Sequence, residues 1–111
     1  MDILEKARAI ALEAGSLLLE GLGKAHNHDR KSSSVDLVTE YDRRAEELIA
    51  SRLAQTFPDH GLVAEEGSSR QGRDGLRWYV DPLDGTNNFA HGLPHFAVSM
   101  ALYQHDQPLV G

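Results

Sequence analysis

Apolar residues recur at three- and four-residue steps along the start of the chain: Ile3, Leu4, Ala7, Ile10, Ala11, Ala14, Leu17 and Leu18. Lys6, Arg8 and Glu13 fall off that stripe. The period predicts an amphipathic helix over residues 2–20 that packs on a core, with Gly21 and Gly23 ending it. Gly15 costs this helix about 1 kcal/mol relative to alanine unless it permits close packing. Residues 24–38 are polar and irregular around Lys31-Ser32-Ser33-Ser34 and read as a loop or flexible hairpin. Residues 39–56 predict a second helix, with Ala45, Leu48, Ile49 and Leu53 on one face and Pro58 as its stop. Thr39 followed by Asp42 suits a capping arrangement at its start.

The pattern then changes. Gly61-Leu62-Val63-Ala64 and Leu76-Arg77-Trp78-Tyr79-Val80 are short apolar runs that predict strands. The first is ended by Glu65-Glu66-Gly67 and the second by Asp81-Pro82, with a Gly/Ser/Arg-rich loop over 67–75 between them. Each strand releases an acid at its carboxyl end. If the two lie parallel in one sheet, Glu65 and Asp81 emerge on the same edge, where open α/β sheets bind ligands. Residues 97–103 predict a further strand, 104–107 a turn, and 108–111 the opening of a partner strand that stops after a few residues. A chain stopping there is expected to be a fragment of a longer domain.

Composition changes this picture little. The 111 residues suit one small domain, with 41% apolar and 25% charged residues. No stretch approaches the ~20 apolar residues of a membrane span, and the first residues lack a signal-peptide layout. There is no cysteine, which excludes disulfides and thiolate metal sites and fits a cytoplasmic protein. The net charge of −6 argues against nonspecific binding to nucleic acid or an anionic membrane. It leaves an anionic small molecule open, because a bound cation reverses the local field.

The candidate chemistry lies in Asp81-Pro82-Leu83-Asp84-Gly85-Thr86-Asn87-Asn88-Phe89. Read locally, this is either an Asp/Gly/Asn-rich turn or a site for hard cations beside a phosphate. Pro82 holds Asp81 extended and breaks the strand, so that the turn can bring the Asp81 and Asp84 carboxylates to one point. Gly85 allows close backbone approach, and a helical turn starting at Thr86 would point free N–H groups at an anion. Clustered carboxylates repel unless cations compensate them, and oxygen donors favour Mg²⁺, Mn²⁺ or Ca²⁺ over zinc. His26 and His28 read as loop residues, and His91 and His95 as loop or packing residues. No EF-hand frame is present.

The Asp81–Phe89 segment resembles the D-P-[IL]-D-G-T-x-N-F signature of the inositol monophosphatase family of magnesium-dependent, lithium-sensitive phosphatases. Val63-Ala64-Glu65-Glu66-Gly67 is similar to its G/A-E-E segment. Residues 31–42, from Lys31 to Asp42, are similar to its K-S-x-x-D-L-V-T-x-x-D segment. The run Gly92–Ser99 also follows the family's course into the next strand. The resemblance covers essentially the whole chain, with the motifs in order.

The resemblance implies a layered α/β (α+β) sandwich of alternating helices and sheets, of which residues 1–111 would be the N-terminal metal- and phosphate-binding part. It implies that Glu65, Asp81 and the Leu83 carbonyl hold a first Mg²⁺, and that Asp81 and Asp84 share a second. It implies that Thr86 and Asp42 orient the attacking water, and that the Gly85 and Thr86 amides hold phosphate. Glu65 is expected among the catalytic as well as the metal-binding residues, and Asp84 beside the substrate. Lys31 resembles a mobile-loop lysine near the metals, with solvent exposure as its other reading, and Glu66 adjoins the site. The implied reaction is hydrolysis of inositol monophosphate or a related sugar phosphate by an activated water, in a cytoplasmic homodimer. Fructose-1,6-bisphosphatase or 3′-phosphonucleotide phosphatase activity is the sibling alternative. A later family segment, W-D-x-A-x-G, has no match here. Its aspartate completes the second metal site, so an inactive metal-binding fragment is a further alternative.

Overall fold

The computed structural model describes residues 2–26, 34–64, 69–84 and 97–111. Two helices, α1 (Ile3–His26) and α2 (Ser34–Thr56), precede five strands: β1 (Gly61–Ala64), β2 (Ser69–Arg70), β3 (Leu76–Asp84), β4 (Ala97–Gln104) and β5 (Gln107–Val110). The strands form one sheet in the order β2-β1-β3-β4-β5. β1 and β3 run parallel, and the other neighbouring pairs are antiparallel. Both predicted strands around the acids are present, and the 97–103 strand pairs with its 108–111 partner across a short turn.

Asp2 caps α1 by accepting the Glu5 N–H on its carboxylate at 2.8 Å. The helix does not end at Gly21. It runs to His26, through both glycines. Gly21 is buried, and Leu18 and Leu22 pack in the cluster that also holds Tyr41 and Leu83. Tertiary packing there outweighs the roughly 1 kcal/mol that each glycine costs a helix.

α2 differs in the same direction. It begins at Ser34, so residues 34–38 are helical rather than loop. Its buried stripe, Tyr41, Ala45, Ile49 and Leu53, follows a four-residue step, and all four are fully buried. Thr39 and Asp42 therefore lie inside the helix, beyond the first turn with its free N–H groups, and the capping role expected of Asp42 is excluded. The Arg52 guanidinium grips the Glu13 carboxylate through two bonds of 3.0 and 2.8 Å, which ties the two helices together.

Both helices pack on one face of the sheet. Ala7, Ile10 and Ala14 of α1 and Ile49 and Leu53 of α2 meet Leu62, Ala64, Trp78, Val80 and Leu102 of the strands. The opposite face carries Val63, Tyr79, Ala101 and Tyr103, with Val63 42% and Tyr79 39% exposed. At one sheet end two backbones touch: a Cβ on Gly72 would lie 2.2 Å from the Gly61 nitrogen and 2.2 Å from the Leu76 oxygen. Among the described residues no helix is long and apolar enough to cross a membrane.

Candidate active site

The parallel register aligns Ala64, the last residue of β1, with Val80, the residue before Asp81 in β3. Glu65 itself, together with Glu66, Gly85, Thr86, Asn87, Asn88, Phe89, Lys31, His28, His91 and His95, lies outside the described residues. The described part of the candidate site consists of Asp42, Asp81, Leu83 and Asp84.

β3 does not stop at Asp81-Pro82, as the proline suggested. It continues to Asp84. The break appears instead as a register shift against β4 between Asp81, paired with Ser99, and Asp84, paired with Ala97. Pro82 has no N–H to give the ladder, which confines it to such irregular positions. Pro82 and Leu83 are both buried, so the inward–outward alternation slips by one here. That slip sends Leu83 into the core and leaves Asp84 exposed at the strand end. The Asp81 carboxylate accepts the Leu83 N–H at 3.3 Å, folding the acid over the same turn.

Leu83 packs with Tyr41 and Ala45, residues that flank Asp42 on α2. The core thus brings the helix segment of Asp42 to the end of β3 that carries Asp81 and Asp84. Asp42 is half-buried, with one carboxylate oxygen fully enclosed. On the open face of the sheet, Asp81 borders a cavity of about 590 Å³ with Val63, Tyr79 and Ser99.

Hard oxygen donors, two carboxylates and a backbone carbonyl at one strand end, suit magnesium in kind. Among the described residues no three acidic or histidine side chains gather closely enough to hold a metal ion. Asp42, Asp81 and Asp84 alone are therefore no complete ligand set, and a full shell needs a donor such as Glu65. Two residues with no part in the sequence reading stand out. Glu46, one turn beyond Asp42, is a 5% exposed carboxylate. His60 bonds to the core tryptophan. Glu46 could have been found from its i+4 spacing to Asp42; nothing local marks His60.

Two helices layered on one face of a mixed five-stranded sheet, with Asp81 and Asp84 near the end of a central strand, define a layered α/β protein. The chain belongs to the inositol monophosphatase family, whose profile matches residues 2–111. It is 39% identical over 111 residues to a Thermotoga maritima protein named fructose-1,6-bisphosphatase/inositol-1-monophosphatase, covering all of this chain and 43% of that one. It is 45% identical over 92 residues to an inositol-1-monophosphatase of Rhizobium meliloti, covering 81% of this chain and 35% of that one. The crystal structure of the extragenic suppressor protein suhB from Bartonella henselae superposes with a TM-score of 0.82 at 35% identity, over 96% of this chain and 41% of that one. The chain therefore spans less than half the length of these relatives.

Proposed function

We propose that these residues form the first half of the catalytic centre of a Mg²⁺-dependent phosphomonoesterase acting on inositol monophosphate or a related sugar phosphate. The observation that supports this reading is the parallel β1–β3 register, which pairs Ala64, the last residue of β1, with Val80, the residue before Asp81, in a chain of this family. Glu65, Asp81 and the Leu83 carbonyl would hold one ion, and Asp81 and Asp84 would hold another. Magnesium, when bound, supplies positive charge against the phosphate oxygens and makes a water more acidic. Thr86 would orient a water beside the phosphate, and the Asp42 carboxylate, paired with it, would take up the proton. The Gly85 and Thr86 amides hold the phosphate and, by hydrogen bonding, stabilise charge as it builds on its oxygens. The active assembly is a cytoplasmic, lithium-sensitive homodimer of the longer protein.

The name of the Thermotoga maritima relative supports fructose 1,6-bisphosphate as a second substrate to test. Phosphate release from both substrates, with and without Mg²⁺, separates the two. Calorimetric titration of the 111-residue chain with Mg²⁺ tests the ligand assignment directly. The chain is expected to bind weakly and Asp81→Asn to lose the binding heat. Equal Mg²⁺ binding by Asp81→Asn would remove Asp81 from the ligand set.

A further inference from the structure

The turn between α2 and β1 holds an arrangement that the candidate site does not use. Trp78, the only tryptophan of the chain, is fully buried in β3. Its indole N–H donates to His60 Nδ1 at 3.0 Å. The imidazole lies flat against Phe57, with ring centroids 4.8 Å apart and planes 3° from parallel. The His60 carbonyl accepts two N–H groups of the Arg70 guanidinium, at 3.1 and 2.6 Å. Ring and backbone of His60 are thus both held.

This bond has one chemical requirement. Nδ1 accepts only while it carries no proton, so the neutral ring must keep its proton on Nε2. Protonation puts an N–H on Nδ1, facing the indole N–H, with no acceptor between them. The buried indole is then left without its partner, a state that buried donors avoid.

We propose that His60 is an acid-sensitive latch between the end of α2 and strand β3, holding Trp78 when neutral and releasing it when protonated. The charged groups around it act in both directions. From its own turn, Asp59 favours the imidazolium, and Arg73, 3.6 Å from that carboxylate, offsets part of this. From β2, Arg70 opposes the imidazolium. From α1, Lys6 sits 6.0 Å from the centre of the Phe57 ring and adds positive charge on that side. From β3 comes only the indole donor. Burial has the largest effect and lowers the His60 pKa below 6.5; Arg70 adds to the shift and Asp59 opposes it. The folded-state value is depressed, so above 6.5 both states are neutral and the latch is intact. As pH falls from there through the lower folded value, the unfolded chain takes the proton first and the folded state loses stability. Trp78 stands three positions before Asp81 on the same strand, so release reaches the strand that carries the acids.

The test uses nitrogen NMR of the imidazoles and tryptophan emission on the 111-residue chain. His60 is expected as the Nε2–H tautomer at neutral pH, titrating with a midpoint below 6.5, and Trp78 emission steps at the same midpoint. Trp78→Phe, which removes the donor and keeps an aromatic ring, shifts the His60 midpoint upward. His60→Gln abolishes the emission step between about pH 7.5 and 5, where histidine titrates. An emission step that survives in His60→Gln overturns the latch. So does a His60 midpoint that is the same with Phe at position 78. If His60→Gln does not fold, the Trp78→Phe midpoint decides the matter.

Discussion

The two faces of the sheet are built from the same strands and have different fates. Along β3, Trp78 and Val80 point into the helices and are 0% and 4% exposed, while Tyr79 between them is 39% exposed. The open face is nevertheless only partly polar: Asp81 and Ser99 lie on it beside apolar residues. Val63, Tyr79, Ala101 and Tyr103 line it, and Tyr79 and Tyr103 meet edge to face at 5.2 Å. A sheet made to face water alternates apolar and polar residues; a parallel pair such as β1–β3 is commonly apolar on both sides because both sides are covered. The lesson is that apolar character on this sheet marks membership of a layered fold, and only the helices decide which side is the core of these residues.

The contrast can be broken most forcefully at Trp78. Trp78→Ala is expected to cost about 3–5 kcal/mol, since it empties the centre of the core. Chemical denaturation would measure it, and a cost equal to that of an open-face substitution would erase the distinction between the faces. Tyr79→Ala, one residue along, is expected to cost about 1 kcal/mol, chiefly the lost edge-to-face contact with Tyr103. A cost as large as that of Trp78→Ala would mean that the open face is a core in its own right.

The smallest effect belongs to the outer surface of the helix layer. The Arg52 hydrogen bond to Glu13 is the main cause that lowers the Glu13 pKa from 4.5; burial opposes it and the Arg52 charge adds to it. The folded value is depressed, so the pair's contribution is present above 4.5 and is lost as pH falls through the lower folded value. Glu13→Gln should flatten the acid limb of stability slightly, read as the unfolding midpoint against pH. Added salt should shrink the difference, because both side chains are solvent-exposed. A salt-independent difference would mean that the pair acts through packing instead.

Legibility followed the range of the interactions involved. The strand acids were visible because Asp81 and Asp84 sit in a short motif whose residue types state their chemistry. Their parallel neighbour, β1, was visible because its apolar run ends in acid. The helix boundaries were not. Gly21 and Gly23 look like an end, and residues 34–38 like part of a loop, until Tyr41, Leu18 and Leu83 are seen to share a cluster across 65 positions of chain. Local propensity loses to such contacts. The local reading of Asp42 as a cap, set beside its catalytic role, failed for the same reason: α2 starts at Ser34, eight residues upstream. The register slip at Pro82 was half legible. The proline announced an interruption, but only the pairing with β4 shows that the strand resumes to carry Asp84. His60 was invisible because its partner is 18 residues away and its hydrogen bond depends on the fold alone.

The contact between Gly61 and Gly72 bears on how this sequence can vary. A side chain on Gly61 would meet the Arg70 oxygen and the Gly72 nitrogen at 2.7 Å, and one on Gly72 would collide with Gly61 and Leu76 backbone. Compensation usually works by trading volume between neighbours, one residue shrinking as the other grows. Here both partners are already the smallest residue, and the obstructing atoms are main chain. The two positions therefore form a locked pair in sequence space: neither can mutate first, and no second-site change at the other can rescue it.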